Sequence, residues 1–246
     1  MNLWCGDCLE LMQNIPDQSI DMILCDLPYG ITRNKWDAVI DPDKLWKQYN
    51  RIIKSNGAIL LFGQDKFTAK MMLSNEKMHR YNLIWDKQLK SGFLNANRQP
   101  LRQHEDIMVF YKSQPTYNPQ KVKGVPCHSK GTIIGKSPKN NNNYGDYSSV
   151  QTVGDMKYPS SILSFQKPPP SMRIHPTEKP VDLLEYLIKT YTNEGEVVLD
   201  NCMGTGNTGI ACLNTNRDFI GIELDENYFE IAQDKIEKRM EELNGD

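Results

Sequence analysis

The sequence predicts an α/β fold, a mostly parallel sheet with helices on its faces. Three observations carry this. Short apolar runs bounded by polar residues recur along the chain, with Ile20–Cys25, Ala58–Phe62 and Val197–Asp200 the plainest, and each has the length of a buried strand. Between them lie segments whose apolar residues recur at helical spacing, the alternation that builds parallel sheets. One region, 113–172, loses both periodicities, as an insertion at the edge of such a domain would.

In chain order, Trp4 to Asp7 reads as a brief strand, followed by a helical turn through Leu9 and Met12. Ile20–Cys25 is the second strand. Asp41-Pro42 opens a helix with an acidic N-cap and proline at its first position. Leu45, Trp46, Tyr49, Ile52 and Ile53 continue it, and Ser55-Asn56-Gly57 should stop it. Ala58–Phe62 is a strand and Phe67 to Leu73 a helix; Tyr81–Trp85 and Ile107–Tyr111 are two further strands. In the region 113–172, Pro115, Pro119, Pro126, Pro138, Pro159 and the run Pro168-Pro169-Pro170 break any helix, with one short strand candidate between Ser160 and Phe165. Order returns with a helix from Pro180 to Tyr191, the strand Val197–Asp200, a turn and helix over Gly204–Asn214, the strand Phe219–Glu223 and a final helix from Glu226 to Leu243.

With 246 residues and 39% hydrophobic content, the chain can build a full core. It shows no apolar run long enough for a membrane and no signal peptide, so a cytoplasmic protein with no membrane partner is expected. Six unevenly spaced cysteines do not make a disulfide framework. Cys5 and Cys8 form a C-x-x-C, and Cys127-His128 could complete a zinc site. A single pair is a weak signal, so cysteines packed as small hydrophobes and no metal are expected. The net charge of −2 is unevenly spread: from Lys112 to Ile174 eight lysines and one arginine face two aspartates. A basic segment on an acidic body suits a polyanion, although a solvated loop would carry the same charge.

The first chemically informative stretch is Asp26-Leu27-Pro28-Tyr29. Pro28 cannot continue the strand, so Asp26 and Tyr29 fall at its C-terminal edge, where open α/β sheets bind ligands. A carboxylate, a backbone carbonyl fixed by a proline and a flat ring together suit a planar group carrying an NH2. Taken alone, the stretch equally describes a plain turn.

The second is Gly204-Thr205-Gly206-Asn207-Thr208-Gly209, a G-x-G-x-x-G between strand and helix, with Glu223 ending the next strand. Such glycines let backbone approach a cofactor, and the acid can accept from ribose hydroxyls. A dinucleotide would set its pyrophosphate at the helix N-terminus. S-adenosylmethionine has no phosphate. Asp200, just before the loop, would repel a pyrophosphate and suits an ammonium, which favours S-adenosylmethionine.

The order Asp26-Leu27-Pro28-Tyr29, then the basic region, then His175-Pro176-Thr177-Glu178-Lys179-Pro180, then Asp200 to Gly206 resembles the permuted beta group of the amino-DNA methyltransferases. Gly6-Asp7-Cys8-Leu9-Glu10, Leu61-Phe62-Gly63-Gln64 and His104-Glu105-Asp106-Ile107 support the resemblance, which spans nearly the whole chain. It implies a Rossmann-like, circularly permuted fold with a seven-stranded, mostly parallel sheet. Residues 1–112 and 173–246 would form the catalytic domain and 113–172 an irregular inserted target-recognition region. The chain departs at Leu27, where the family has a proline, and at Asn201-Cys202, where it usually has Pro-Phe.

By that resemblance, Asp26 and the carbonyl of Leu27 or Pro28 accept hydrogen bonds from the exocyclic amine of adenine, and Tyr29 stacks on a base turned out of its helix. Asp7 and Cys8 would touch the cofactor's adenine, Glu223 its ribose, and Lys179 or Thr177 its carboxylate. Asp26, Asp200, Asn201, Cys202, Gly204, Gly206 and Leu224 complete the cofactor set. Aspartate at position 26 points to adenine N6 over cytosine N4. DNA is the implied partner, and a homodimer and a cognate restriction endonuclease stay open. Three alternatives remain: an NAD-dependent oxidoreductase using the same glycines, a 5-cytosine methyltransferase using Cys127, and a non-enzymatic nucleic-acid-binding module. Cys127 lies in the irregular region, and a binding module explains neither the Asp26 turn nor Glu223. Methylation of RNA or protein is chemically close and is disfavoured only by the family pattern.

Overall fold

Strand β2 (Ile20–Cys25) is buried along its whole length, and past the register shift between Ile20 and Met22 its residues divide by parity. Ile23 and Cys25 join one hydrophobic cluster, Met22 and Leu24 the other. A strand covered on both faces must be apolar on both, which is why this run does not alternate. The computed structural model describes residues 1–30, 39–124, 155–167 and 178–245.

Around β2 the other strands are β1 (Asn2–Cys5), β3 (Ile53–Gly63), β4 (His79–Ser91), β5 (Arg102–Phe110), β8 (Ile162–Ser164), β9 (Val197–Asp200) and β10 (Asp218–Glu223), with the short β6 (Val122–Lys123) and β7 (Met156–Lys157) between β5 and β8 in chain order. The main sheet runs β1-β10-β9-β2-β3-β5-β4-β8. The pairings from β1 across to β3 are parallel; β5 is antiparallel to both β3 and β4, and β8 runs parallel to β4. The sheet is mostly parallel as expected, with eight strands among the described residues instead of seven.

The eighth is β8, the strand candidate expected inside the insertion. It pairs with β4 as an edge strand, and the Trp85 indole N–H donates to the Phe165 carbonyl at 2.8 Å. The chain divides into two units, Met1–Asn118 with Ser161–Asp246, and Pro119–Ser160. This second unit is shorter than the irregular region 113–172. Its described part is the β6–β7 pair, with Lys121 over the Tyr158 ring at 4.6 Å.

Helices α1 (Cys8–Leu11), α2 (Pro42–Ile52) and α3 (Asp65–Ser74) cover one face, and α4 (Val181–Tyr191), α5 (Asn207–Asn214) and α6 (Glu226–Asn244) the other. Asp41 caps α2 through the Asp43 amide at 3.0 Å with Pro42 in the first turn, as its sequence predicts. The expected stop at Ser55-Asn56-Gly57 is displaced: α2 ends at Ile52 and the chain turns straight into β3, whose register shifts opposite β2 between Ile20 and Met22. Ile53 is already extended, at φ −71° and ψ 135°, and pairs with Ile20 of β2, so the ladder begins there. No helix among the described residues is long and apolar enough to cross a membrane.

Candidate active site

The parallel strands end along one edge, and the turns after β1, β2, β9 and β10 open there into a cleft of about 460 Å³. Two segments distant in sequence form its walls: Asp26, Leu27, Pro28 and Tyr29 after β2, and Asp200, Asn201, Cys202 and Gly204 after β9. Asp7, Cys8, Glu223, Leu224 and Lys179 also line it. Thr177, with His175 and Pro176, lies outside the described residues, as do Cys127 and His128.

The acidic turn is braced on both carboxylate oxygens. Tyr29 donates its hydroxyl to Asp26 Oδ1 at 2.7 Å, and Lys179 donates to Oδ2. Each oxygen keeps a further lone pair for a donor entering the cleft. The Tyr29 ring lies 4.6 Å, centroid to centroid, from Phe67, which holds it in place and occupies part of its surface. Leu27 is buried in the core, and that burial anchors the turn.

Lys179 was expected at a cofactor carboxylate; the structure places its ammonium between Asp26 and Glu105, 3.4 Å from Glu105 Oε2 and 4.9 Å from the Phe62 ring. Lys87 reaches Glu105 Oε1 at 3.2 Å. Lys87, Glu105 and Lys179 are all buried, so this alternating row of charges is shielded from water. Burial pushes the Lys179 ammonium down, but Asp26 and Glu105 outweigh it and hold it protonated above its usual range. Burial likewise raises the Glu105 carboxyl, and the ammonium groups of Lys179, Lys87 and Lys167 bring it below the ordinary range. Its Oε2 has no hydrogen-bond donor with proper geometry among the described residues.

At the other end, the Glu223 carboxylate is held by backbone. Gly204 N donates to Oε2 at 2.8 Å, and the Leu224 and Asp225 amides to Oε1 at 2.9 Å. Burial raises its carboxyl, and those three N–H groups partly offset the rise. Asp200 accepts from the Cys202 amide at 3.1 Å and the Thr208 hydroxyl at 2.6 Å. Burial pushes Asp200 up to about 6 despite these bonds. Asp7 caps α1 through the Leu9 amide at 2.7 Å, and Asn201 accepts from the Tyr49 hydroxyl at 2.5 Å.

The three glycines of the loop divide their work. Gly204 adopts φ +53° with open space where a Cβ would stand, on the cleft wall. Gly206 is off the wall, contrary to expectation: at φ +80° it begins α5, and a Cβ there would sit 3.0 Å from Ala232. At Gly209 a Cβ would lie 2.5 Å from Ile236, so the last two glycines let α6 approach.

Several residues of this site carry no role predicted from sequence: Glu105, within His104-Glu105-Asp106-Ile107, and Lys87, which belongs to no motif. Glu178 accepts from the Thr205 hydroxyl and pairs with Lys235 at 3.6 Å; Lys235 also donates to Asn207 at 2.7 Å. The signal for the first pair was available: Glu105 shares the strand parity of Ile107 and Val109, and Lys87 that of Trp85, so both charges fall on core-facing positions.

The glycine end of the cleft carries Asp7, Asp200 and Glu223, while Lys179 is turned to Asp26 and Glu105. That set of acceptors suits a cationic, hydroxyl-bearing ligand without phosphate, and the volume suits a small molecule.

The Type II methyltransferase M.HpaI of Haemophilus parainfluenzae is 24% identical over 255 residues, covering 99% of this chain and 75% of that protein. The DNA adenine methyltransferase YhdJ of Escherichia coli K12 is 23% identical, covering 94% of this chain and 81% of that protein. Among solved structures, the M1.HpyAVI–SAM complex superposes with a TM-score of 0.63 at 23% identity, over 95% of this chain and 98% of that one. The PvuII cytosine-N4-specific DNA methyltransferase gives 0.68 at 15% identity, over 99% and 93%. The model of the DNA methylase family (N6_N4_Mtase) matches residues 20–234. With most of its length matched, this chain belongs to the DNA methylase family.

Proposed function

We propose that the protein transfers a methyl group from S-adenosylmethionine to the N6 amine of an adenine in DNA. The observation that carries this reading is the convergence of the Asp26 turn and the Gly204–Glu223 end on one cleft. Asp rather than Ser at position 26 supports adenine over the cytosine-N4 alternative. The permuted beta-group order of the motifs, with the acidic turn first and the glycine loop last, belongs to the same reading.

Glu223 would accept from the ribose hydroxyls, Asp200 would face the ammonium, and Asp7, Cys8, Asn201, Cys202, Gly204 and Leu224 would enclose the remainder. When bound, S-adenosylmethionine supplies an electrophilic methyl group. The chain's task is to prepare the amine. An aryl amine delocalises its lone pair into the ring and is a poor nucleophile. Asp26 and the Leu27 or Pro28 carbonyl accept its two hydrogens, draw the nitrogen toward a tetrahedral shape and localise the pair. The Asp26 carboxylate also stabilises the positive charge that grows on nitrogen and lies next to the proton that nitrogen must release. Lys179 and Tyr29 hold that carboxylate in one orientation.

Lysines of residues 113–172 would meet DNA phosphates. A cytoplasmic site of action belongs to the reading, and a homodimer and a cognate restriction endonuclease are both compatible with it. Incubation of the protein with unmethylated genomic DNA and methyl-labelled S-adenosylmethionine, followed by digestion to nucleosides, tests it. The label should elute as N6-methyladenosine in its deoxy form; label as N4-methyldeoxycytidine would move the target to cytosine, and none in DNA would reject the proposal.

A further inference from the structure

The hairpin joining β4 and β5 ends in an exposed apolar pair on a folded tip. Phe93 is 68% exposed and Leu94 fully so. The tip is not a loose loop: Gly92 turns it at φ +86°, Phe93–Asn95 form a 3-10 turn, and the amides of Asn95, Arg98 and Gln99 are bonded within it. A scattered exposed apolar residue needs no explanation, but two adjacent ones held out by an ordered turn do.

The register fixes where this tip stands. Asp26 follows Cys25, which pairs with Leu61, so it is level with Phe62 and hence with Ile107 of β5. Arg102, opposite Ser91 at the base of the tip, is five residues beyond Ile107 in the direction of the cleft edge. At about 3.3 Å per residue the tip starts about 16 Å past the Asp26 level, and β5 lies two strands, about 10 Å, to the side. Residues 88–101 contain Lys90 and Arg98 and not one Asp or Glu, while Lys87 and Arg102 at the base are paired with Glu105 and Asp65. Lys90 and Arg98 are exposed on this tip.

We propose that the hairpin tip docks into duplex DNA beside the target base, with Phe93 and Leu94 entering the stack that the target base vacates and Lys90 and Arg98 on the flanking phosphates. This rests on the reading that the protein methylates a base in DNA. A base must leave the helix to reach a cleft at this sheet edge, and an apolar wedge in the gap offsets the lost stacking. The acid-free tract matches a polyanion. A second copy of the chain is a poorer occupant, because two side chains offer far less than the ~1,200 Å² a stable protein interface needs.

The test compares the wild type with the double variant Phe93→Ser, Leu94→Ser. The substrates are two oligonucleotide duplexes carrying the methylated site mapped by sequencing. One is fully paired, and the other has an abasic site opposite the target adenine, so that the base leaves the stack easily. The variant should lose about tenfold or more in kcat/KM on the paired duplex and less than about threefold on the other. Its melting temperature should match the wild type, and Phe93→Trp should retain activity on both. An equal loss on both duplexes, or no loss, would overturn the wedge. So would a wild-type dimer that the double variant converts to monomer. Genomic DNA in which incubation leaves no methylated site to map would instead reject the methylation reading itself, and the wedge with it.

Discussion

The ammonium of Lys179 donates to the Asp26 carboxylate across 153 residues of sequence. It ties the segment before α4 to the turn after β2 and is itself held by Glu105, which Lys87 holds in turn. The reactive carboxylate of the proposed mechanism is thus one end of a buried row of alternating charges.

Removing the second charge of that row should cost both fold and rate. Lys179→Met leaves Asp26 and Glu105 facing each other in a buried setting, and breaking such a contact costs about 3 kcal/mol or more. Urea unfolding should show that loss, and methyl transfer at saturating substrates should fall about tenfold or more as Asp26 loses its orientation. A variant of unchanged stability would show that the row is not coupled.

Asp200 gives a pH signature with a defined sign. Its carboxyl is raised by burial to about 6, against about 3.9 when unfolded. The native state therefore binds this proton more tightly. Above about pH 6 the buried charge costs stability, on the order of 3 kcal/mol, and that cost is relieved as pH falls from 6 toward 4. The stability of the wild type relative to Asp200→Asn should accordingly rise across that window. Calorimetry should show S-adenosylmethionine binding more weakly below about pH 6, where the proton competes with the ligand's ammonium. A flat affinity from pH 5 to 8 would take Asp200 out of the binding set.

Glu223→Ala should weaken S-adenosylmethionine binding by about ten- to a hundredfold, the range expected when charged hydrogen bonds are lost. Because Glu223 also receives the Gly204 amide, the same change should loosen the loop. Unchanged affinity by calorimetry would move the ribose partner elsewhere.

The glycines should separate by readout. Gly206→Ala meets Ala232 at a positive φ and should destabilise the fold by about 1–3 kcal/mol. Gly204→Ala has open space around its Cβ and costs only its left-handed backbone, about 1 kcal/mol, yet it intrudes on the cleft. Thermal melts and cofactor titrations of both variants check the split; equal effects in both assays would contradict it.

The sheet and the two walls of the cleft were legible because apolar runs, Pro28 and the glycine loop each force a local geometry. The edge strand β8 was assigned to the insertion because three residues among prolines carry no period long enough to show their partner. Helix α2 ends earlier than the turn-forming Ser55-Asn56-Gly57 suggests because Ile53 pairs with Ile20 of β2, a long-range contact no local pattern shows. The charge row was visible only as parity: Lys87 and Glu105 occupy inward positions of neighbouring strands, but that they meet depends on a register no local pattern specifies. The glycine motif alone cannot tell a wall residue such as Gly204 from one that, like Gly206, admits a helix.

The most direct measurement is methyl transfer by Asp26→Ala under single-turnover conditions, with S-adenosylmethionine affinity determined on the same preparation. The account predicts transfer reduced by about a thousandfold or more while affinity stays within a few-fold of wild type. Transfer at a near-normal rate would contradict it.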